Sequence, residues 1–211
     1  MVSVEGIDGA GKSTLVSCLA EKLRVGEPEM RVFVTREFSG PIGAALGSSL
    51  SELSPLARAY AFAAERHSVV DQIINEQPDL VLWDRYVDSS VASRHADAML
   101  GTENGDALLT VAQDIAKLFP KPHLTLLLDV DPGTARSRSS ARPARQQPSL
   151  YRREGLRFLR EAFLECERSD PDRFVRIDAR MTPDRVCAQA LASVCAVVSR
   201  ERAMRGTASS P

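Results

Sequence analysis

The sequence has 211 residues, of which 44% are apolar and 26% charged, and its net charge is −1. This composition is typical of one globular domain and excludes the strongly basic surface of a nucleic-acid-binding protein. No apolar run approaches the ~20 residues of a membrane span and no signal peptide is visible, so we expect a cytoplasmic protein without membrane contact.

The chain opens with a predicted strand, Met1–Val4, followed by the pattern Gly-x-x-x-x-Gly-Lys-Ser. Its glycines let backbone N–H groups turn inward around phosphate oxygens, and a predicted helix, Thr14–Leu23, points its positive end at the same oxygens. Lys12 adds a charge beside the β and γ phosphates of ATP, and the Ser13 hydroxyl is suited to bind Mg²⁺. The predicted ATP-binding residues of this loop are Gly6, Ile7, Asp8, Gly9, Ala10, Gly11, Lys12, Ser13 and Thr14.

Charged pairs follow the next two predicted strands. Arg36-Glu37 comes after Arg31–Thr35, and Asp84-Arg85 comes after Leu80–Trp83. The carboxyl ends of parallel strands share one edge of a sheet, and ligands of such sheets bind beyond that edge. Each pair alone fits a helix cap or a surface ion pair, but together they predict a second phosphate site beside the first.

The remaining predicted elements alternate between helix and strand: Pro55–Gln77, Asp106–Phe119 and Thr182–Arg200 are helical, and Leu124–Leu128 and Phe174–Ile177 are strands. Continuous apolar strands suit a parallel sheet that is covered on both faces. We therefore expect an α/β fold of the P-loop NTPase type, a doubly wound five-stranded parallel sheet with flanking helices. Residues 1–204 are predicted to form a single domain and 205–211 a tail.

Several segments together resemble the bacterial thymidylate kinases. These are EGIDGAGKST at 5–14, TRE at 35–37, FAAER at 62–66, DRYVDSS at 84–90, LDVDP at 128–132 and DRFVRIDA at 172–179. The resemblance covers most of the chain, in the order of the family. It implies transfer of the γ-phosphoryl group of ATP to dTMP with Mg²⁺, and a homodimer for which the helix Pro55–Gln77 is a candidate interface.

The resemblance also implies roles for single residues of the acceptor site. Lys12 would hold the transferring phosphates, and Asp84 would assist Ser13 at Mg²⁺. Asp8 would face the acceptor nucleotide, while Arg36 and Arg85 would grip its phosphate. The remaining implied substrate contacts are Phe62 stacking on the base, Arg66 bonding its carbonyl edge, and Ser90 and Ser93 lining the site.

An arginine-rich segment, residues 136–153, follows LDVDP and is predicted to form a short lid over the ATP phosphates. Some thymidylate kinases carry a catalytic arginine inside the phosphate loop, whereas this chain has Gly9 there. The resemblance therefore assigns that role to Arg142 or Arg145 of the lid, and a contact with adenine to Arg136. The alternative is a solvated basic loop or a polyanion-binding patch.

The chain departs from the family pattern around the acceptor. The loop after Thr35-Arg36-Glu37 is shortened. Ser93-Arg94 replaces a Tyr-Gln pair of the family, whose tyrosine resembles a residue that packs where the 2′-hydroxyl of a ribose would project. The acidic lid segment of the family is also missing. Two hypotheses stay open: an ordinary dTMP kinase with altered loops, or a kinase for a modified or ribose-bearing pyrimidine monophosphate.

Two rival classes are a nucleotide-binding protein without turnover and a nucleoside kinase. The second would need a base for a neutral hydroxyl, a role that Glu5, Asp8 or Glu37 could fill. Finally, the four cysteines lack metal-binding spacing, and we expect them to be free thiols in a reducing compartment. They are Cys18, Cys166, Cys187 and Cys195.

Overall fold

The computed structural model describes residues 1–139 and 153–208, which contain five strands and eight α-helices. The strands are β1 (Val2–Glu5), β2 (Val32–Arg36), β3 (Leu80–Asp84), β4 (Leu124–Asp129) and β5 (Phe174–Asp178). The helices are α1 (Lys12–Gly26), α2 (Pro41–Leu46), α3 (Pro55–Glu76), α4 (Val87–Met99), α5 (Gly105–Ala116), α6 (Pro132–Ser139), α7 (Arg153–Ser169) and α8 (Pro183–Ala208). A 3₁₀ helix spans Gly47–Glu52.

All five strands run parallel in the order β2-β3-β1-β4-β5, which confirms the predicted sheet. β1 lies at the centre, between β3 and β4. In the register Val4 is opposite Asp84, and Arg36 is opposite Asp84 on the other side. The carboxyl ends of β1, β2 and β3 therefore bring Glu5, Arg36 and Asp84 to one edge of the sheet.

The core lies on both faces of the sheet. Every residue of β1 and β3 is buried, as expected for central strands of a doubly wound fold. From α1, Leu15, Leu19 and Leu23 pack into the same core at helical spacing. This packing fixes α1 relative to the strands that end at the predicted phosphate sites.

Two features of the helices differ from the expectation. α2, α4 and α7 were not predicted, and α8 continues to Ala208, into the segment expected to be a tail. α6 contains residues 136–139 of the predicted lid, whereas residues 140–152 lie outside the described residues. In the described residues, no helix combines the length and apolar character that a membrane crossing requires.

The expectation of free thiols was wrong for two cysteines. Cys18 of α1 forms a disulfide with Cys187 of α8, which is 169 residues away in the sequence. The two helices pack side by side and bring these cysteines to facing positions, a relation that local spacing does not reveal. Cys166 and Cys195 are free.

Candidate active site

The phosphate loop connects β1 to α1 and depends on glycine at specific positions. Gly6 has φ +139°, and a Cβ there would lie 2.5 Å from the carbonyl oxygen of Leu128. Gly11 has φ +100° and caps the N-terminus of α1 without a side-chain hydrogen bond. The loop amides at this helix start therefore stay available for an anion.

Lys12 is 6% exposed although it carries a charge. Its ammonium group donates to the carbonyl oxygens of Gly6 and Ile7, both at 2.9 Å, and lies 3.7 Å from Asp8 Oδ1. These contacts hold the charge over the loop. The geometry suits a cation that exchanges carbonyl oxygens for phosphate oxygens when ATP binds.

Ser13 and Asp84 form the predicted metal-binding pair. The exposed Ser13 donates its hydroxyl to Asp84 Oδ2 at 2.6 Å, from the first turn of α1 to the end of β3. Among the described residues, no group of three or more His, Cys, Asp or Glu side chains could hold a metal. Mg²⁺ fits this donor set, because it keeps waters and takes phosphate oxygens beside one or two protein oxygens.

Arg85 links the phosphate loop to α4. Its φ is +69°, which is uncommon for a residue with a side chain and is found at functional sites. Its guanidinium donates from Nη2 to Asp8 Oδ1 and from Nη1 to Ser89 Oγ at 3.3 Å. Both predicted acceptor-site residues, Asp8 and Arg85, thus meet in one ion pair.

Glu5 stabilises the segment that follows Arg85 through two hydrogen bonds. Its carboxylate accepts from the Tyr86 amide at 2.7 Å and from the Ser89 hydroxyl at 2.5 Å. Glu5 is fully buried, and burial, together with the charge of Asp88, raises its pKa to about 7. Asp8 and Glu37 line the cavity that opens at the Asp8–Arg85 pair, whereas Glu5 does not, so its carboxylate does not face a ligand bound there.

A cavity of about 420 Å³ opens from the Asp8–Arg85 pair between α3 and α4, with α5 along its floor. This main cavity has the size and the mixed apolar and polar walls of a small-molecule site. It brings together six of the predicted site residues: Asp8, Phe62, Arg66, Arg85, Ser90 and Ser93.

Arg66 is buried in the wall of the main cavity. Its Nη2 atom donates to the Tyr86 carbonyl at 3.3 Å and to Ser90 Oγ at 3.0 Å, and its guanidinium carbon lies 5.3 Å from the centroid of the Phe119 ring. Glu37 lines the same cavity, and burial raises its pKa to about 7 while the charge of Arg66 opposes that rise. The buried Arg66 and the half-buried Glu37 form a polar wall with both donors and acceptors.

Phe62 lies on the same face of α3 as Arg66 and contributes to the cavity wall. Its ring meets Phe38 edge-on at a centroid distance of 4.4 Å, and Phe38 has φ +59°. The aromatic pair joins α3 to the loop after β2. Phe62 therefore packs against protein on one side and faces the cavity on another.

Arg36 is exposed and lies at the end of β2, at the same edge of the sheet. It lines a small cleft together with Phe38 and Phe62, but unlike Phe62 it does not line the main cavity. The structure thus brings Arg36 near the acceptor site but not into it. Its contact with an acceptor phosphate stays a prediction.

Glu65 is a site residue that the sequence analysis missed. Its carboxylate is 3% exposed and accepts from the amides of Gly40 and Gly43, the latter at 2.9 Å. It therefore caps the N-terminus of α2, where a negative charge is favourable. The available signal was the acid between Phe62 and Arg66 in FAAER, whose partners lie more than 20 residues away.

The lid residues are placed only in part. Arg136 lies on α6, whereas Arg142 and Arg145 lie outside the described residues, so their roles stay predictions. Gly9 packs against α6, and a Cβ there would collide with the backbone carbonyl of Ala135. This contact leaves no room for a side chain at position 9, which agrees with an arginine supplied from elsewhere.

Comparison with known proteins identifies relatives of this chain among the thymidylate kinases. The chain matches the family model of thymidylate kinase over residues 4–190, a range that contains the phosphate loop and the main cavity. A thymidylate kinase of Clavibacter sepedonicus is 36% identical over 84% of this chain and 86% of its own length. A probable thymidylate kinase of Pyrobaculum aerophilum is 36% identical over 89% and 92%, and a thymidylate kinase of Deinococcus radiodurans is 32% identical over 92% and 95%.

Proposed function

The chain belongs to the thymidylate kinase family, and we propose that it transfers the γ-phosphoryl group of ATP to a pyrimidine deoxynucleoside monophosphate, converting dTMP to dTDP. The observation that carries this proposal is the ion pair between Asp8 and Arg85. Asp8 belongs to the phosphate loop and Arg85 to the wall of the main cavity. Two nucleotides can therefore meet end to end at this pair.

The proposed reaction needs no general base. The attacking atom is a phosphate oxygen of the acceptor, which is already ionised at neutral pH. It forms a bond to the γ phosphorus of ATP while the bond to the β–γ bridging oxygen breaks and ADP leaves. Catalysis then consists of alignment and of neutralising the charge on the transferring group, and Lys12 and Arg85 supply cations at that point.

Mg²⁺ would be held by Ser13 and, directly or through water, by Asp84, and would neutralise charge on the β and γ phosphates. On the acceptor side, Phe62 offers a face for stacking, and Arg66 and Ser90 offer hydrogen bonds to the base edge. The arginine fork suits a phosphate because it binds two oxygens in one plane.

A homodimer in the cytoplasm is part of the proposal. Leu56, Tyr60 and Ile74 are exposed and recur on one stripe of α3, away from the face that lines the cavity. An exposed apolar stripe of this kind favours burial against a second copy. Light scattering of the purified protein should give twice the mass of the chain, and Tyr60→Glu should shift it to the monomer.

The direct test of function is a product analysis. Purified protein is incubated with ATP and Mg²⁺ in parallel with dTMP, thymidine or no acceptor, and nucleotides are separated by chromatography. We expect ADP and dTDP in equal amounts from dTMP alone, with loss of both after chelation of Mg²⁺. Phosphorylation of thymidine in preference to dTMP would support a nucleoside kinase. Binding of nucleotides without any product would support a nucleotide-binding protein without turnover.

A further inference from the structure

The main cavity continues beyond the part that the proposed function uses. On α3 its lining residues Arg58, Phe62 and Arg66 follow one face of the helix, so that the wall from Arg66 to Arg58 is about 12 Å long at 1.5 Å per residue. α4 runs antiparallel to α3 along the opposite wall. Arg66 bonds Ser90 near the start of α4, whereas Arg58 acts electrostatically on Asp97 near its end.

The far end of the cavity is charged. Arg94 Nη1 lies 3.0 Å from Asp97 Oδ2, with the two side chains 18% and 13% exposed, and both line the cavity. Burial raises the pKa of Asp97, while Arg94 and Arg58 act in the opposite direction. Ser93 precedes Arg94 on α4 and lines the same cavity.

An apolar substrate surface would be a poor partner for this end. A methyl group or a deoxyribose edge would remove water from the Arg94–Asp97 pair without replacing its hydrogen bonds, which is unfavourable. A hydroxyl group can replace the lost hydrogen bonds of both side chains, because it donates to a carboxylate and accepts from a guanidinium. A guanidinium has five N–H donors and a carboxylate two oxygens, so the pair can keep its mutual contact and still bind a hydroxyl.

We propose that the Arg94–Asp97 end of the cavity binds a hydroxyl group that dTMP lacks, so that the favoured acceptor is a hydroxylated pyrimidine nucleoside monophosphate. This inference rests on the proposed function and names the substrate class of the same site. Two sources supply the required chemistry, the 2′-hydroxyl of a ribose and a hydroxymethyl group on C5 of the base.

The test compares three acceptors that differ by single hydroxyls: dTMP, its ribose counterpart 5-methyl-UMP, and 5-hydroxymethyl-dUMP. We expect kcat/KM for one hydroxylated acceptor to exceed that for dTMP by about tenfold or more, since one hydrogen bond to a charged group discriminates to this extent. The acceptor that gains identifies the source. If dTMP surpasses both, the inference is overturned while the proposed function stands; if no acceptor is phosphorylated, both fail.

Variants connect the preference to the pair. In Arg94→Gln, and in the double variant Arg94→Gln/Asp97→Asn that leaves no uncompensated charge, the ratio of kcat/KM for the hydroxylated acceptor to that for dTMP should fall to one or below. A folding defect lowers all rates together and leaves this ratio unchanged. The matched control is Asp114→Asn, which removes the exposed Lys117–Asp114 pair at the same spacing and should keep the wild-type ratio. A wild-type ratio in both cavity variants would overturn the inference.

Discussion

At the scale of single residues, the phosphate loop holds a buried cation, Lys12, where the proposed reaction requires positive charge. Lys12 is nearly inaccessible, and its ammonium group is satisfied by the loop carbonyls of Gly6 and Ile7. A buried charge normally requires a partner, and here the Asp8 carboxylate, 3.7 Å from the ammonium group, accompanies the two carbonyl dipoles. In the proposed reaction the ATP phosphates join these partners, so we expect Lys12 to contribute more in the bound state than in the free one.

Replacing Lys12 by alanine should therefore reduce kcat by about 10³-fold or more, because a preorganised cation at the transferring phosphoryl group is worth several kcal/mol. The control is Lys117→Ala, which removes an exposed lysine on the surface and should leave kcat unchanged. Steady-state kinetics with saturating ATP and dTMP measures both. A loss of less than tenfold would remove Lys12 from the mechanism.

Glu65→Gln should weaken acceptor binding selectively. The amide has one acceptor oxygen, so one of the two amides of the α2 start loses its bond, which costs about 1–3 kcal/mol of unfolding free energy. The loop that carries Phe38 would then shift against Phe62, and we expect KM for dTMP to rise several-fold while KM for ATP stays unchanged. Glu76→Gln, on the exposed end of the same helix, is the control. An equal rise in both KM values would show a general structural role instead.

At the scale of secondary-structure elements, the phosphate loop and α6 form one packed unit. Gly9 has φ +87° and touches the α6 backbone at Ala135, where a Cβ has no space. α6 in turn leads into the arginine-rich segment predicted to form the lid. The contact therefore fixes the position of α6 relative to the phosphate loop.

Gly9→Ala should separate the loop from α6. The added Cβ meets backbone atoms, which cannot rotate away, and the left-handed conformation adds about 1–3 kcal/mol of strain. We expect at least a tenfold loss of kcat and a lower melting temperature. Gly26→Ala is the matched control, since nothing lies within 4 Å of its Cβ and alanine favours a helix. Full activity in Gly9→Ala would contradict this role of the contact.

The sequence was sufficient for the elements that local patterns define. Short apolar or β-branched runs predicted all five strands to within one residue at either end, and in the central strands β1 and β3 every residue is buried. α4 was not predicted from the sequence, because its buried face consists of small residues, such as Ala92 and Ala96, among polar ones. Two contacts were not predicted either, because both join segments distant in the sequence. They are the cap of α2 by Glu65 and the disulfide between Cys18 and Cys187.

The candidate site also has one part that a local pattern predicts and one part that depends on contacts between distant segments. The phosphate loop is local, so its residues and their order were predictable from the pattern alone. The main cavity depends on where α3 and α4 lie relative to each other, and the sequence could name Phe62 and Arg66 only through a resemblance. It gave no indication that Arg94 and Asp97 would pair at the far end of the same cavity.

At the scale of the whole molecule, two carboxyls at the centre of the site link protonation to folding. The pKa values of Glu5 and Glu37 are raised from 4.5 to about 7, mainly by burial. Between pH 4.5 and 7 the folded protein therefore keeps protons that the unfolded chain has released. Their contribution to stability is greatest below that range and is lost as the pH rises through it.

Glu5→Gln should flatten this dependence, because an amide stays neutral at every pH. We expect the unfolding free energy of the variant, relative to the wild type, to increase from pH 5 to pH 8 by a few kcal/mol, since each pKa unit corresponds to about 1.4 kcal/mol. Urea unfolding at the two pH values measures it. Glu21→Gln, on an exposed position of α1, should follow the wild type at both. A parallel pH dependence in Glu5→Gln and wild type would contradict the assignment.

The central claim is that two nucleotides meet end to end at the Asp8–Arg85 pair. A crystal structure with a bisubstrate analogue, in which a pentaphosphate chain joins adenosine to thymidine, tests it most directly. The account predicts that the phosphates cross the loop at Lys12 and contact Arg85, with the thymine against Phe62 inside the main cavity. A thymine bound outside that cavity, or an Arg85 without a phosphate contact, would contradict it.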